Sequence, residues 1–140
     1  MKLKIKKVRE GVITPTRAYE GDAGLDLYVS KVDMAAPDMV KYFLGVAVEI
    51  PTGYVGVLCS RSSTFKKRHT LTNGVGIIDS GYRGELMAVC QVELGSLFYK
   101  PGEKAFQLIL VPFIAPEVEE VEKLADSERG EGGYGSSGNK

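Results

Sequence analysis

Val40-Lys-Tyr-Phe-Leu-Gly-Val-Ala-Val-Glu-Ile50 places an apolar side chain at every even position: Val40, Tyr42, Leu44, Val46, Val48 and Ile50. A period of two is that of extended backbone with one face in a core, whereas a helix would space these residues three and four apart. Pro51-Thr-Gly53 then punctuates the run. Outward from it, Leu3 and Ile5 among interleaved lysines predict a first, partly exposed strand. Tyr54–Cys59, Leu86–Leu94 and Ala105–Ile114 read as further strands between breaks such as Gly84, Gly95 and Pro101-Gly102. Many short strands at this spacing predict an antiparallel sandwich, jelly roll or small barrel. Helix is scarce: Ser62-Ser-Thr-Phe-Lys-Lys67 alone suits one short helix, with its first hydroxyls as N-caps.

The chain length of 140 residues suits one domain with a core of its own. Eighteen basic residues balance eighteen acidic ones, which excludes a general nucleic-acid coating protein. A lone basic loop, Lys66-Lys-Arg68, without an aromatic-lined basic face is weak ground for single-strand binding. No apolar stretch is long enough to span a membrane, and no signal peptide is read at Met1. Cys59 and Cys90 lie in strand-like runs, where two buried free thiols in a reducing cytosol are the expectation and a disulfide the alternative. One histidine and two dispersed cysteines cannot make a zinc site, and His69 reads as a solvated loop residue. Glycine is the outlier at 17 of 140 residues.

Five segments concentrate those glycines beside polar residues that a turn does not require. In Ala23-Gly-Leu-Asp-Leu27, Asp26 either caps a turn or faces a cation or its waters. In Pro51–Ser63, Arg61 followed by Ser62 and Ser63 at a helix start suits an oxyanion or phosphate site, with plain turn or cap chemistry as the alternative for this segment alone. In Asn73-Gly-Val-Gly-Ile-Ile-Asp-Ser-Gly-Tyr-Arg-Gly-Glu-Leu86, Asp79 ends an apolar run at the mouth of a hairpin, a place for a general base, with Tyr82 nearby. Gly102-Glu-Lys-Ala-Phe-Gln107 puts Gln107 into a strand otherwise suited to a core. The last, Arg129-Gly-Glu-Gly-Gly-Tyr-Gly-Ser-Ser-Gly138, follows an acidic stretch with a weak apolar thread of Val118, Val121 and Leu124. By composition it is a frayed tail; its arginine, tyrosine and paired hydroxyls instead equip a phosphate-gripping lid. It lacks the Walker pattern.

In this order and spacing the five segments resemble the trimeric dUTPase family, which hydrolyses dUTP to dUMP and pyrophosphate. The resemblance runs from about Thr14 to Gly138 and is most specific in the third and fifth segments. It implies an all-β, distorted jelly-roll domain over residues 1–128, a C-terminal phosphate-closing arm over 129–140, and a homotrimer with active sites shared between chains. It implies that Asp79 orients and deprotonates the attacking water, and that Tyr82 packs beneath the deoxyribose, excluding a ribose 2′-hydroxyl. Asn73 and the backbone at Met87 would read the uracil edge, with Tyr134 stacked over it. Arg61, Ser62, Ser63, Gln107, Arg129, Ser136 and Ser137 would hold the phosphates. Asp26 would bind Mg2+ through its water shell.

The fourth segment usually reads Gly-Asp-Arg-Ile-Ala-Gln in that family, and here Lys104 replaces the arginine, without its planar fork. Tyr134 stands where phenylalanine is usual, keeping the stacking face. Two alternatives share the scaffold. A dCTP deaminase would need a glutamate in the run before the third hairpin, but Leu71-Thr-Asn-Gly-Val-Gly76 has no acid. A regulatory protein-binding module is the other, and no large insertion between the third and fourth segments speaks for it.

Overall fold

The computed structural model describes residues 1–133. Its strands are β1 (Lys4–Lys7), β2 (Leu25–Tyr28), β3 (Lys31–Ala36), β4 (Met39–Phe43), β5 (Val46–Glu49), β6 (Tyr54–Ser60), β7 (His69–Leu71), β8 (Gly76–Ile78), β9 (Met87–Val92) and β10 (Lys104–Pro112). The one helical element among the described residues is a 3-10 turn, Ser62–Lys67. Two four-stranded antiparallel sheets, β2-β10-β6-β8 and β3-β4-β9-β7, accompany a two-stranded ribbon, β1-β5. The expected distorted jelly roll is therefore the observed fold.

One core joins the two sheets. Leu27, Leu58, Phe106 and Leu108 come from the first sheet, and Val40, Tyr42, Leu71 and Cys90 from the second; all are buried. Side chains of this kind contribute about 1.5–3 kcal/mol each when fully buried. Val40, Tyr42, Leu44, Val46, Val48 and Ile50 are all buried, as the alternation requires. The backbone beneath them is nevertheless not one strand. Gly45 takes φ +69°, and the chain leaves the second sheet after β4 to pair with β1 as β5. A side chain at Gly45 would also run into Val12 and Ser30. Alternation reports which side chains face the core and is silent about which neighbour the backbone bonds.

Three further expectations are corrected. His69 is not a solvated loop residue: it lies in β7, is 6% exposed, and bonds Tyr42 and the Lys67 carbonyl. The 3-10 turn is not capped by its hydroxyls; Arg61 is the N-cap residue and contributes no side-chain cap. Of the two free cysteines, Cys90 is buried, with its thiol pushed up to about 12 by burial, whereas Cys59 is half-buried. Beyond β10 the chain from 113 to 128 forms no strand, and its Ile114, Val118 and Leu124 are exposed.

Candidate active site

Pairing register assembles the first part of the site. Gln107 in the middle of β10 lies opposite Asp26 of β2 on one side and Cys59 of β6 on the other, with Phe106 opposite Ser60. The chain leaves β6 at Ser60 and enters the 3-10 turn, so Arg61 and Ser62 arrive next to Asp26. A cavity of about 320 Å³ results, lined by Gly24, Asp26, Arg61, Ser62 and Gln107, together with Asp22 and Ile109. Asp26 is 8% exposed and its two oxygens are separately engaged. Arg61 Nε reaches Oδ1 at 2.9 Å, and Lys104 Nζ reaches Oδ2 at 2.8 Å. The hydrogen bond to Asp26 raises the Lys104 pKa above its ordinary value. Gln107 Nε2 donates to the Ser60 carbonyl at 3.1 Å. Gly24 leaves the space in which the Gln107 amide lies, since a Cβ there would overlap Oε1.

The second part is a slot between sheets. The expected hairpin around Asp79 is not closed by a ladder: β8 pairs with β6, while β9 pairs with β4 and β7. The strands on either side of the loop belong to different sheets, and the gap between them is a cavity of about 150 Å³. Ile77, Ile78, Asp79, Tyr82, Glu85, Leu86 and Met87 line it. The Thr72 N–H bonds the Val89 carbonyl on one edge of β9. Leu86, just before β9, turns its N–H to the Val46 carbonyl and its own carbonyl to the Leu44 N–H on the opposite edge, where β4 pairs, so successive backbone groups alternate between the two edges. Met87, two residues before Val89, therefore turns its N–H and C=O away from β4 and towards the slot.

The loop itself is tightly built. The Tyr82 N–H donates to the Asp79 carbonyl at 3.0 Å, and the Tyr82 hydroxyl donates to the Glu85 carbonyl at 3.1 Å. A Cβ on Gly84 would overlap the Tyr82 ring, so glycine is what lets the ring lie across the turn. Glu85 is a residue that sequence reasoning missed. Arg9 grips it with Nε at 2.7 Å and Nη2 at 2.8 Å, and the Gly45 N–H donates to it at 2.9 Å. The fork joins residues 76 apart in sequence, and no local pattern announces it. The hydrogen bond to Glu85 raises the Arg9 pKa.

The remaining expected residues are placed differently. Asn73 sits in an exposed turn closed by the Gly74 N–H on the Leu71 carbonyl, and lines neither cavity. Ser63 is half-buried on the 3-10 turn and also lines neither. Arg129 is exposed, and its Nε donates to the Gly132 carbonyl at 2.8 Å. Tyr134, Ser136 and Ser137 lie outside the described residues. The two cavities share no lining residue.

A dUTPase family model matches residues 10–138. The chain belongs to the dUTPase family. A deoxyuridine 5′-triphosphate nucleotidohydrolase of Clostridioides difficile is 39% identical over 140 residues, covering 97% of each chain. One from a Hydrogenobaculum species is 37% identical over the full length of both. Among solved structures, the dUTPase of Staphylococcus bacteriophage 80alpha with dUPNHPP superposes with a TM-score of 0.87 at 31% identity, covering 99% of each chain. A mutant dUTPase of the S. aureus phage phi11, whose structure concerns the coordination of a structural Mg(II) ion, has a TM-score of 0.77 at 26% identity, covering 90% of this chain and 100% of that one.

Proposed function

We propose that the chain is a dUTP diphosphatase, hydrolysing dUTP to dUMP and pyrophosphate by attack of water on the α-phosphorus. The observation that carries this reading is the division of the expected residues between two cavities. One is rich in anion-binding donors, from Arg61, Ser62 and Gln107. The other is a narrow slot with a carboxylate, a tyrosine ring and the free backbone edge of Met87.

In the slot, the Met87 backbone reads the uracil edge, with Asn73 moving in from its exposed turn. The Tyr82 ring supports the deoxyribose face and leaves no room for a 2′-hydroxyl. Asp79 orients the water and accepts its proton. In the other cavity Arg61, Ser62 and Gln107 meet the negative charge that moves to the pyrophosphate as the α–β bond breaks, with Ser63 reaching the phosphates from the next position of the turn. The arm over residues 129–140 closes with Arg129, Ser136 and Ser137 on the phosphates and Tyr134 over the base.

Mg2+ suits this donor set only as an outer-sphere partner. Both Asp26 oxygens are already paired with cations, and the described residues hold no cluster of three His, Cys, Asp or Glu side chains. Asp26 would hold the ion through its water shell, and the ion would supply charge neutralisation along the triphosphate. The cavities share no lining residue, and apolar side chains are exposed between 113 and 128. Both features support a homotrimer in which each site is shared between chains. The free thiols of Cys59 and Cys90 support the expected reducing, cytosolic setting.

The test is pyrophosphate release from a panel of dUTP, dTTP, UTP and dCTP. Release from dUTP alone is expected, and ammonia from dCTP would overturn the reading. Asp79→Asn should lower kcat by about 10³-fold or more while nucleotide affinity stays within a few-fold. Full turnover in that variant would remove Asp79 from its role.

A further inference from the structure

Behind the phosphate-side cavity, buried polar groups are joined in a network whose two arms diverge from Tyr99. His69 Nδ1 lies 2.6 Å from the Lys67 carbonyl, which can only accept, so Nδ1 carries the proton. In the neutral ring Nε2 is then an acceptor, and it takes the hydrogen of the Tyr42 hydroxyl at 2.6 Å. The Tyr42 oxygen accepts the Tyr99 N–H at 3.2 Å. The Tyr99 hydroxyl donates to Thr64 Oγ1 at 3.3 Å, and Thr64 Oγ1 donates to the Ala105 carbonyl at 3.4 Å. Tyr42, Thr64, His69 and Tyr99 are all buried. Burial lowers the His69 pKa and pushes the Tyr42 phenol up to about 12, which keeps both groups neutral.

The network does not touch the cavity; it grips the element that lines it. Thr64 and Lys67 are the middle and the last residue of the 3-10 turn, and Lys67 Nζ also stands 4.8 Å from the centre of the Tyr99 ring. A six-residue 3-10 turn without a side-chain N-cap has little hold of its own. Arg61 and Ser62 sit at its front end, where the chain leaves β6 at Ser60, so the turn is held at that end by β6 and at the other by this network.

We propose that Tyr42 and His69, with Tyr99, are positioning residues for the polyphosphate, clamping the Ser62–Lys67 turn from the core so that Arg61 and Ser62 are held in register with Asp26 and Gln107. The inference rests on the assignment of Arg61 and Ser62 to the phosphates. It predicts a split between ligands: the triphosphate should feel the clamp, and the base and sugar, bound in the other cavity, should not.

Tyr42→Phe removes one oxygen and keeps the ring. Binding of a non-hydrolysable α,β-imido analogue of dUTP and of deoxyuridine is measured for wild type and variant, beside dUTP turnover. Tyr42→Phe, which loses the bonds to His69 and to the Tyr99 N–H, should weaken the imido analogue about fivefold. Deoxyuridine affinity should stay within about twofold, while kcat/KM for dUTP should fall at least as far as the affinity for the analogue, because Arg61 and Ser62 meet charge that develops as the α–β bond breaks. Tyr99→Phe, which cuts only the bond to Thr64, should move affinity in the same direction by less and serves if Tyr42→Phe folds poorly. Equal weakening of both ligands would make the network merely structural and overturn the proposal, as would no weakening of the analogue. A wild-type chain that does not turn over dUTP would instead overturn the diphosphatase reading.

Discussion

Asp26 shows how much a single substitution against the family pattern can change and still leave intact. Lysine at position 104 cannot make the two-pronged contact of an arginine, yet its ammonium reaches Oδ2 at 2.8 Å and leaves Oδ1 to Arg61. The carboxylate is shared between two point contacts, and Arg61 keeps its remaining guanidinium donors for a ligand. On the proposed assignment of Arg61 to the phosphates, Lys104 would act on that site at one remove. In Lys104→Met, the Asp26 charge falls on Arg61 alone and draws the guanidinium from the phosphates. The expected outcome is a rise in KM for dUTP of about threefold, modest because the lysine is partly exposed and screened. Lys104→Arg should stay within about twofold. Steady-state kinetics at fixed ionic strength checks both, and an unchanged KM in the methionine variant would remove Lys104 from this role. Residues that line the two cavities were legible in the five segments, Asp26, Arg61, Asp79 and Gln107 above all. The partnerships were not, because Arg61–Asp26, Lys104–Asp26 and Arg9–Glu85 each join residues distant in sequence.

At the scale of elements, periodicity carried far for the long strands and failed where tertiary pairing decides. The run from Val40 to Ile50 was readable as core-facing in every even residue, but the break at Gly45 depends on Val12 and Ser30, which the run does not contain. β7 and β8, of three residues each, are too short to show a period. His69 was misread for the same reason: its neighbours Lys66, Lys67 and Arg68 are charged, while its burial is supplied by Tyr42, Phe98 and Tyr99 from elsewhere in the fold. Its burial has a pH consequence. The folded imidazole lies below the ordinary value of about 6.5 that it regains on unfolding, so in the interval between them the unfolded chain binds the extra proton. The stability that the neutral ring contributes is therefore complete above about pH 6.5 and is lost as pH falls through the folded value. Urea unfolding of wild type and His69→Leu at pH 7.5, 6.5 and 5.5 should show the gap between them narrowing towards acid. The charged groups around the ring, Lys67 and the Arg68–Glu93 pair, are common to both proteins. Parallel stability curves would refute the assignment of a neutral, buried His69.

For the whole molecule, zero net charge and a glycine-rich tail resolve into local features: a site with its own cations, and a chain whose C-terminal stretch leaves apolar side chains uncovered. Assembly could not be read from composition, because nothing in a list of residues states which face meets another copy. A shared site makes a prediction that a single-chain site cannot meet. Asp79→Asn lacks the base but keeps the arm, and a chain ending at Glu128 lacks the arm but keeps Asp79. Each alone should turn over dUTP at a small fraction of the wild-type rate. In a trimer assembled at random from equal amounts of the two, a site works when the chain giving Asp79 is the shortened one and the chain giving the arm is the variant. If those are different chains, about one quarter of the sites combine both intact parts. Co-expression of the two chains should therefore restore about a quarter of the wild-type rate per site. If the arm instead closes over its own chain's Asp79, every site carries one defect and the mixture stays as inactive as its components. Pyrophosphate release from the co-expressed mixture, beside each chain alone, decides between the two arrangements.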